Sequence, residues 1–399
     1  MLVRPLVAAL SFYLAATGCS SGTNAGSPLQ DGGSAGEAGP GSVPDEAGSA
    51  CETCGGLQRL SPWPSEGHDI RGQRRSAFPG PTSPTVAWRV DSPAGIIYHA
   101  PTVAADGTIY VAGYDGTGAL RSDGSLAWEE KTRKQRASIS IGDDGFIYAS
   151  EGNLVRMSPS REGQLTLLPS TNESAPLLAP DGTVFVGGAH ARAVAAGGRP
   201  LWSVPLEGCT YAGYCYRSSP AMAPDGSLRF AGSGVLQAFE RDGEVRWAVP
   251  SNTDGRQAPA VGDDGTTYLC EGAAFVAIDA SGKELFRTDS CAFASPAIAA
   301  DGTIYLPGGT ELVALRKDGS VVFRFPYGEN RGSSPAIDSE GTIYVGAGYP
   351  DGKLFAIDPS GHEKWSVPLD EQAGSPAIGP RRRLYVPSIS SARLIAIGP

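Results

Sequence analysis

One phrase, written eight times over, governs what this chain can become. The stretch SSPAIDSEGTIYVGAG from Ser333 is echoed by ASPAIAADGTIYLPGG from Ala294. With its middle altered, it returns as GSPAIGPRRRLYVPSI from Gly374. Its turn glycine recurs at Gly107, Gly145, Gly182, Gly226, Gly265, Gly302 and Gly341, and Arg382 holds that place in the eighth copy. Successive copies lie 37 to 44 residues apart. That period is the length of one four-stranded propeller blade. The sequence therefore predicts an all-β, eight-bladed β-propeller with four antiparallel strands per blade.

The four strands can be read within one copy. SPAI is strand A, and the DG that follows makes a tight turn, because glycine accepts a positive φ without steric cost. GTIYV is strand B, rich in β-branched and aromatic residues. LVAL or LFAI is strand C. A second glycine turn leads into strand D, which carries Trp128, Trp202, Trp247, Phe286, Phe323 or Trp365, with Leu167 near that place in the second copy. A proline inside strand A needs a reason, since proline cannot donate to a β-ladder and is confined to edges. Pro101, Pro176, Pro220, Pro259, Pro296, Pro335 and Pro376 share one position, and Ile139 takes it in the second copy. Strand A is therefore expected to be innermost, with one edge unpaired and facing the central channel.

The final copy has strands A, B and C but no D before Pro399. Near the other end, SPTVAWRV offers a strand and Trp88 with no A, B or C before it. Residues 84–90 are expected to supply the missing outer strand and close the ring.

Export is written at the N-terminus. Arg4 precedes an apolar run from Leu6 to Ala16, too short to span a bilayer, and small residues follow. This predicts a signal peptide over 1–18, and the ATGC ending resembles a bacterial lipobox that leaves Cys19 as a lipid-bearing terminus. Residues 19–56 are poor in large apolar groups and predict a disordered tether. The propeller is assigned to 57–399. A serine after Cys19 points to the outer membrane by resemblance to Gram-negative sorting, facing the periplasm or the exterior. The net charge of −10 gives no basic footprint for nucleic acid.

Without Cys19, six cysteines remain, an even number that permits three disulfides in an exported chain. Neighbourhood favours Cys51–Cys54, Cys209–Cys215 and Cys270–Cys291. For the last pair the alternative is two buried thiols. CETC also has the form of half a zinc site or a redox motif, but no second CxxC and no pair of histidines accompanies it in sequence.

The stretch GTIYVGAGYPDGKLFAIDPSGHEKWSV (341–367) resembles the tryptophan-docking repeat of PQQ-like, quinoprotein alcohol dehydrogenase-like propellers. WPSEGHDIRGQRRS (63–76) is similar to the segment that opens many exported propellers of that family. The resemblance covers 57–399 and implies the fold. That fold serves both quinoprotein dehydrogenases and the cofactor-free propeller lipoprotein of the outer-membrane β-barrel assembly machinery. The enzymes hold their quinone with a disulfide between adjacent cysteines, which this chain lacks. GGSAG (32–36) has a nucleophile-elbow spacing but lies in the tether, and the four histidines have no metal-ligand spacing. No catalytic residue, metal or cofactor is assigned.

What remains is a surface. The D-to-A and B-to-C connections share one face, and the glycine turns share the other. The first face carries LEGCTYAGYCYRS (206–218), TDSCAFA (288–294), YGENRGS (327–333) and GAGYPDG (346–352). Tyrosine and arginine are favoured at binding hot spots. The candidate contacts with a protein partner are Tyr211, Tyr214, Tyr216, Arg217, Tyr327, Arg331 and Tyr349. The alternatives are packing over the rim, a polysaccharide ligand, or an enzyme using the channel mouth.

Overall fold

The computed structural model describes residues 50–131, 139–150, 152–169, 174–206, 218–255, 257–330, 332–347 and 352–399. The predicted signal segment, Cys19 and most of the predicted tether lie outside these. Among the described residues there is no helix. Eight antiparallel sheets make an eight-bladed propeller. Blades 1 to 7 cover 102–131, 139–168, 177–205, 221–254, 260–288, 297–326 and 336–368. Blade 8 joins 377–398 to the strand Thr85–Asp91. In blade 4 a single run, Leu228–Phe239, takes both middle positions, pairing inward with Ala221–Met222 and outward with Val245–Asp254.

Burial follows strand position. Middle strands such as Ile343–Ala347 are buried along their whole length, because neighbouring blades cover both faces. Outer strands such as Val321–Pro326 alternate exposed and half-buried residues, with only one face packed.

The strand-D aromatics lock each blade to the next. Trp88 Nε1 donates to Ser122 O of blade 1 at 3.2 Å, and Trp202 Nε1 to Arg241 O of blade 4 at 2.7 Å. Trp247 Nε1 donates to Ala280 O of blade 5 at 3.0 Å. Each indole lies over a turn glycine. A Cβ on Gly243 would stand 2.8 Å from Trp202, and one on Gly282 2.8 Å from Trp247. These glycines have φ of +94° and +91°, so both the turn and the close approach of the ring demand glycine.

Ring closure is as the sequence predicts. Thr85–Asp91 runs antiparallel to Arg393–Gly398, from Thr85 opposite Gly398 to Asp91 opposite Arg393. Serines of the SPAI phrase stitch the inner rim. Ala258 N donates to Ser295 Oγ, Ser295 N to Ser334 Oγ, and Ser334 N to Ser375 Oγ, each from one blade to the next at 2.9–3.0 Å.

Two expectations need correction. The inner edges are not left unpaired. Residues 56–78 run round the channel and bond to strand A, or the turn just after it, in seven blades. Gly56 N donates to Leu178 O, Gln58 N to Ile141 O, and Val103 N to Trp63 O. Met222 N, Val261 N, Ile298 N and Ile337 N donate to the carbonyls of Ile70, Arg71, Gln73 and Arg74. Proline still fits, because the ladder donor is the residue two places after it. The packed region also begins before residue 57. Cys51 and Cys54 are buried with Leu57, Tyr148 and Leu178, since a disulfide and apolar neighbours give this glycine-rich stretch a core to join.

Candidate functional site

The channel segment carries buried ionisable groups that β-alternation would not place there. Glu66 accepts from His99 Nδ1 at 2.8 Å and from Ser219 Oγ at 2.8 Å, and Arg74 lies 3.7 Å away. Burial alone would raise the Glu66 pKa. His99, then Arg74 and Ser219, outweigh it and hold the carboxyl at about 2. Asp69 accepts from Thr53 Oγ1 at 2.7 Å and from the backbone of Arg71 and Gln73. These contacts tie the segment to the loops entering blades 1 and 4 and to its own turn. The two carboxylates are thus satisfied by their neighbours, whereas Nε and Nη1 of Arg74 are buried without a hydrogen-bond partner.

His68 differs. It is buried edge-on to Trp63, with ring centroids 5.1 Å apart, and neither ring nitrogen has a hydrogen-bond partner. Burial, with Arg75 nearby, pushes its pKa down to about 3, so the ring is neutral near pH 7. His68 lines a cavity of about 480 Å³ at the glycine-turn end of the channel. Arg75 lines it from the channel segment, Cys51, Glu52 and Thr53 from the stretch just before that segment, and Asp301, Asp338 and Glu340 from the turns of blades 6 and 7.

On the opposite face, most sequence-predicted contacts lie outside the described residues: Tyr211, Tyr214, Tyr216, Arg217, Arg331 and Tyr349, together with Cys209 and Cys215. Tyr327 is corrected. It is 4 % exposed, donates to Gly308 O at 2.8 Å and accepts from Asn330 Nδ2, so it packs beneath the rim. Its side chain turns inward because Phe355 and Phe325 offer it an apolar bed.

Sequence reasoning named the loop 288–294 but not its Phe293, which is 67 % exposed between blades 5 and 6. Cys291, two residues earlier, is bonded to Cys270 with the Cα atoms 5.7 Å apart. Cys291 N donates to Ala273 O, and Ala292 N to Pro307 O. A pinned loop thus presents an apolar ring to solvent. The signal was present in the run CAFA, where a lone aromatic follows a bridging cysteine. Tyr114, in the B-to-C turn of blade 1, and Tyr98, in the loop entering that blade, are further exposed aromatics on this face.

Residues 232–398 match the family described as outer membrane protein assembly factor BamB. The fold is similar to BamB from Moraxella catarrhalis, with TM-score 0.59, 18 % identity, and coverage of 79 % of this chain and 99 % of that one. The chain is an eight-bladed propeller that resembles BamB. It is also similar in fold to the quinohemoprotein alcohol dehydrogenase of Comamonas testosteroni, with TM-score 0.66, 13 % identity, and coverage of 88 % and 83 %. No curated protein matches its sequence.

The dehydrogenases similar in fold are quinohemoproteins by name, and an acidic quinone is the group to fit. Here the described cavity presents Glu52, Asp301, Asp338 and Glu340 against Arg75 and a neutral His68. Like charges at this range repel. The channel itself is taken up by residues 56–78. The residues present do not fit that group.

Proposed function

We propose that the protein is a non-enzymatic binding or scaffolding propeller, tethered to the bacterial outer membrane through lipidated Cys19. It engages a protein partner through the D-to-A and B-to-C loop face. The observation that carries this reading is the match of residues 232–398 to an outer-membrane assembly factor. Filling of the channel by the chain itself supports it, because the channel mouth is where an enzyme of this fold would bind a ligand. Phe293, exposed on a loop fixed by Cys270–Cys291, is the kind of rigid aromatic anchor that dominates binding energy. The partner class is an outer-membrane β-barrel protein or a subunit of its assembly machinery.

Three measurements test this. Cys19→Ala should release the protein from membranes, since a lipid chain is the proposed attachment. Retention after a high-salt wash would contradict the tether. A photoreactive residue at Phe293 or Tyr114 should crosslink a β-barrel or assembly subunit in cells, whereas one at Leu126 or Val321, at the glycine-turn end of strand D, should not. Crosslinks from the second pair alone would refute the face. Stoichiometric uptake of pyrroloquinoline quinone with calcium would refute the cofactor-free reading.

A further inference from the structure

The cysteines of CETC lack a second metal-binding motif in sequence, but the fold brings one more ligand to them. Cys51 Sγ, Cys54 Sγ and a ring nitrogen of His68 all lie within 4.8 Å of one another, and all three residues are buried. In the structure the two sulfurs are joined as a disulfide. We propose that the dithiol form of Cys51 and Cys54, together with His68, binds a zinc ion, with the fourth coordination position open to the 480 Å³ cavity.

Three observations point to this site. First, His68 is 1 % exposed and neither ring nitrogen has a partner, although a buried polar group without one is costly and a phenylalanine would fill the space more cheaply. A ligand that accepts the imidazole lone pair accounts for a histidine there. Secondly, the spacing is right. Zinc–sulfur bonds of about 2.3 Å at tetrahedral angles set sulfurs roughly 3.8 Å apart, within reach of a CxxC whose Cα atoms are 5.4 Å apart. Thirdly, the surroundings suit a cation. Thr53 Oγ1 lies 3.9 Å from Cys51 Sγ and donates to Asp69, and Glu52 borders the same cavity. Three protein ligands with one open position make a site that keeps a water or an exogenous ligand.

The chemistry balances without an unnamed participant. A small-molecule thiol reduces the bridge: one disulfide and two thiols give Cys51–SH, Cys54–SH and the small-molecule disulfide. Zinc then displaces two protons from the cysteines and takes the neutral imidazole as donor. The disulfide and the zinc thiolate are alternative states of one site, so the redox state of Cys51 and Cys54 decides whether the ion can bind.

The test uses the full chain, reduced under nitrogen and freed of reductant, with cobalt and zinc as probes. The dithiol protein should take up one zinc per chain. With cobalt it should show thiolate charge transfer and the visible bands of a four-coordinate ion, and the disulfide form should show neither. Cys51→Ser should abolish these bands, which separates this site from the other cysteines. His68→Ala should weaken zinc by more than about tenfold, the least that even outer-shell losses cost. If His68→Ala fails to fold, the cadmium NMR shift of the wild-type protein decides, since two sulfurs with a nitrogen differ from two sulfurs with oxygens. No stoichiometric uptake by the dithiol form, uptake unchanged in Cys51→Ser, or a cadmium shift without nitrogen would overturn the proposal.

Discussion

The indole of Trp365 in blade 7 donates its Nε1 hydrogen to the carbonyl of Pro81 at 3.1 Å, across 284 residues of chain. Every other docking tryptophan reaches a turn between strands C and D of the next blade. Blade 8 has no such turn, because its outer strand comes from the other end of the sequence. Pro81 stands where that turn would be, so residues leaving the channel complete both the outer sheet and the docking contact.

This double role predicts that deleting residues 50–91 destabilises the ring far more than deleting 20–49. The first deletion removes the backbone bonds to seven inner rims, each worth about 1 kcal/mol net, against a total stability of roughly 5–15 kcal/mol. Thermal melts of the two truncations check it. The second should share the wild-type transition, and equal losses would contradict the closure.

The ring was legible because its signals are local. A turn glycine, an edge proline and an outer tryptophan each report one position, and their recurrence fixes the period. The blade-8 strand was legible from a count that did not close without Trp88. The channel segment was not. WPSEGHDIRGQRRS has no two-residue alternation, and Ile70, Arg71, Gln73 and Arg74 bond to strands 152 to 263 residues away. Nor could sequence show that Tyr327 turns inward, since its bed of Phe325 and Phe355 is assembled partly from the next blade. His68 beside Cys51 and Cys54 is legible only once the segment is seen to fold back on itself.

Docking predicts a difference between two glycines that share a backbone conformation. Gly282→Ala and Gly145→Ala both place a side chain at positive φ, +91° and +77°. Only the first drives a Cβ to 2.8 Å from Trp247, whereas nothing lies within 4 Å at the second. Gly282→Ala should therefore cost about 1–3 kcal/mol more, the usual range for overpacking. Urea denaturation of both variants measures it, and equal midpoints would show that the indole yields freely.

The strand-B tyrosines predict sensitivity to alkali. Burial, with Asp144, Asp264 and Asp301 close by, pushes Tyr148, Tyr268 and Tyr305 up to about 12. In the unfolded chain a tyrosine ionises near about 10. Between those values the unfolded state has lost protons that the folded state keeps, so stability is full below the lower value and falls as pH rises through the upper. Phenolate absorbance and circular dichroism followed together should show these rings ionising only as the fold is lost. Titration of all 14 tyrosines near their free value, with the fold intact, would contradict it.

Arg229 stands where most other copies have the strand-B tyrosine. Its guanidinium is fully buried and lies 5.0 Å over the ring of Trp247. It donates to Thr267, Ser227 and the carbonyl of Leu228, yet one terminal nitrogen has no partner. Burial lowers its pKa to about 10, which shows what the site costs a cation. A tyrosine would keep the aromatic contact that Tyr344 makes with Trp365 at 5.6 Å, without a buried charge. Replacing buried ions by well-packed groups of similar volume is often stabilising by about 1–4 kcal/mol. Arg229→Tyr should therefore raise the melting temperature, whereas Arg229→Ala, which leaves a cavity beside Trp247, should lower it. A drop in both variants would mean that the hydrogen bonds to Thr267 and Ser227 outweigh the cost of burying the charge.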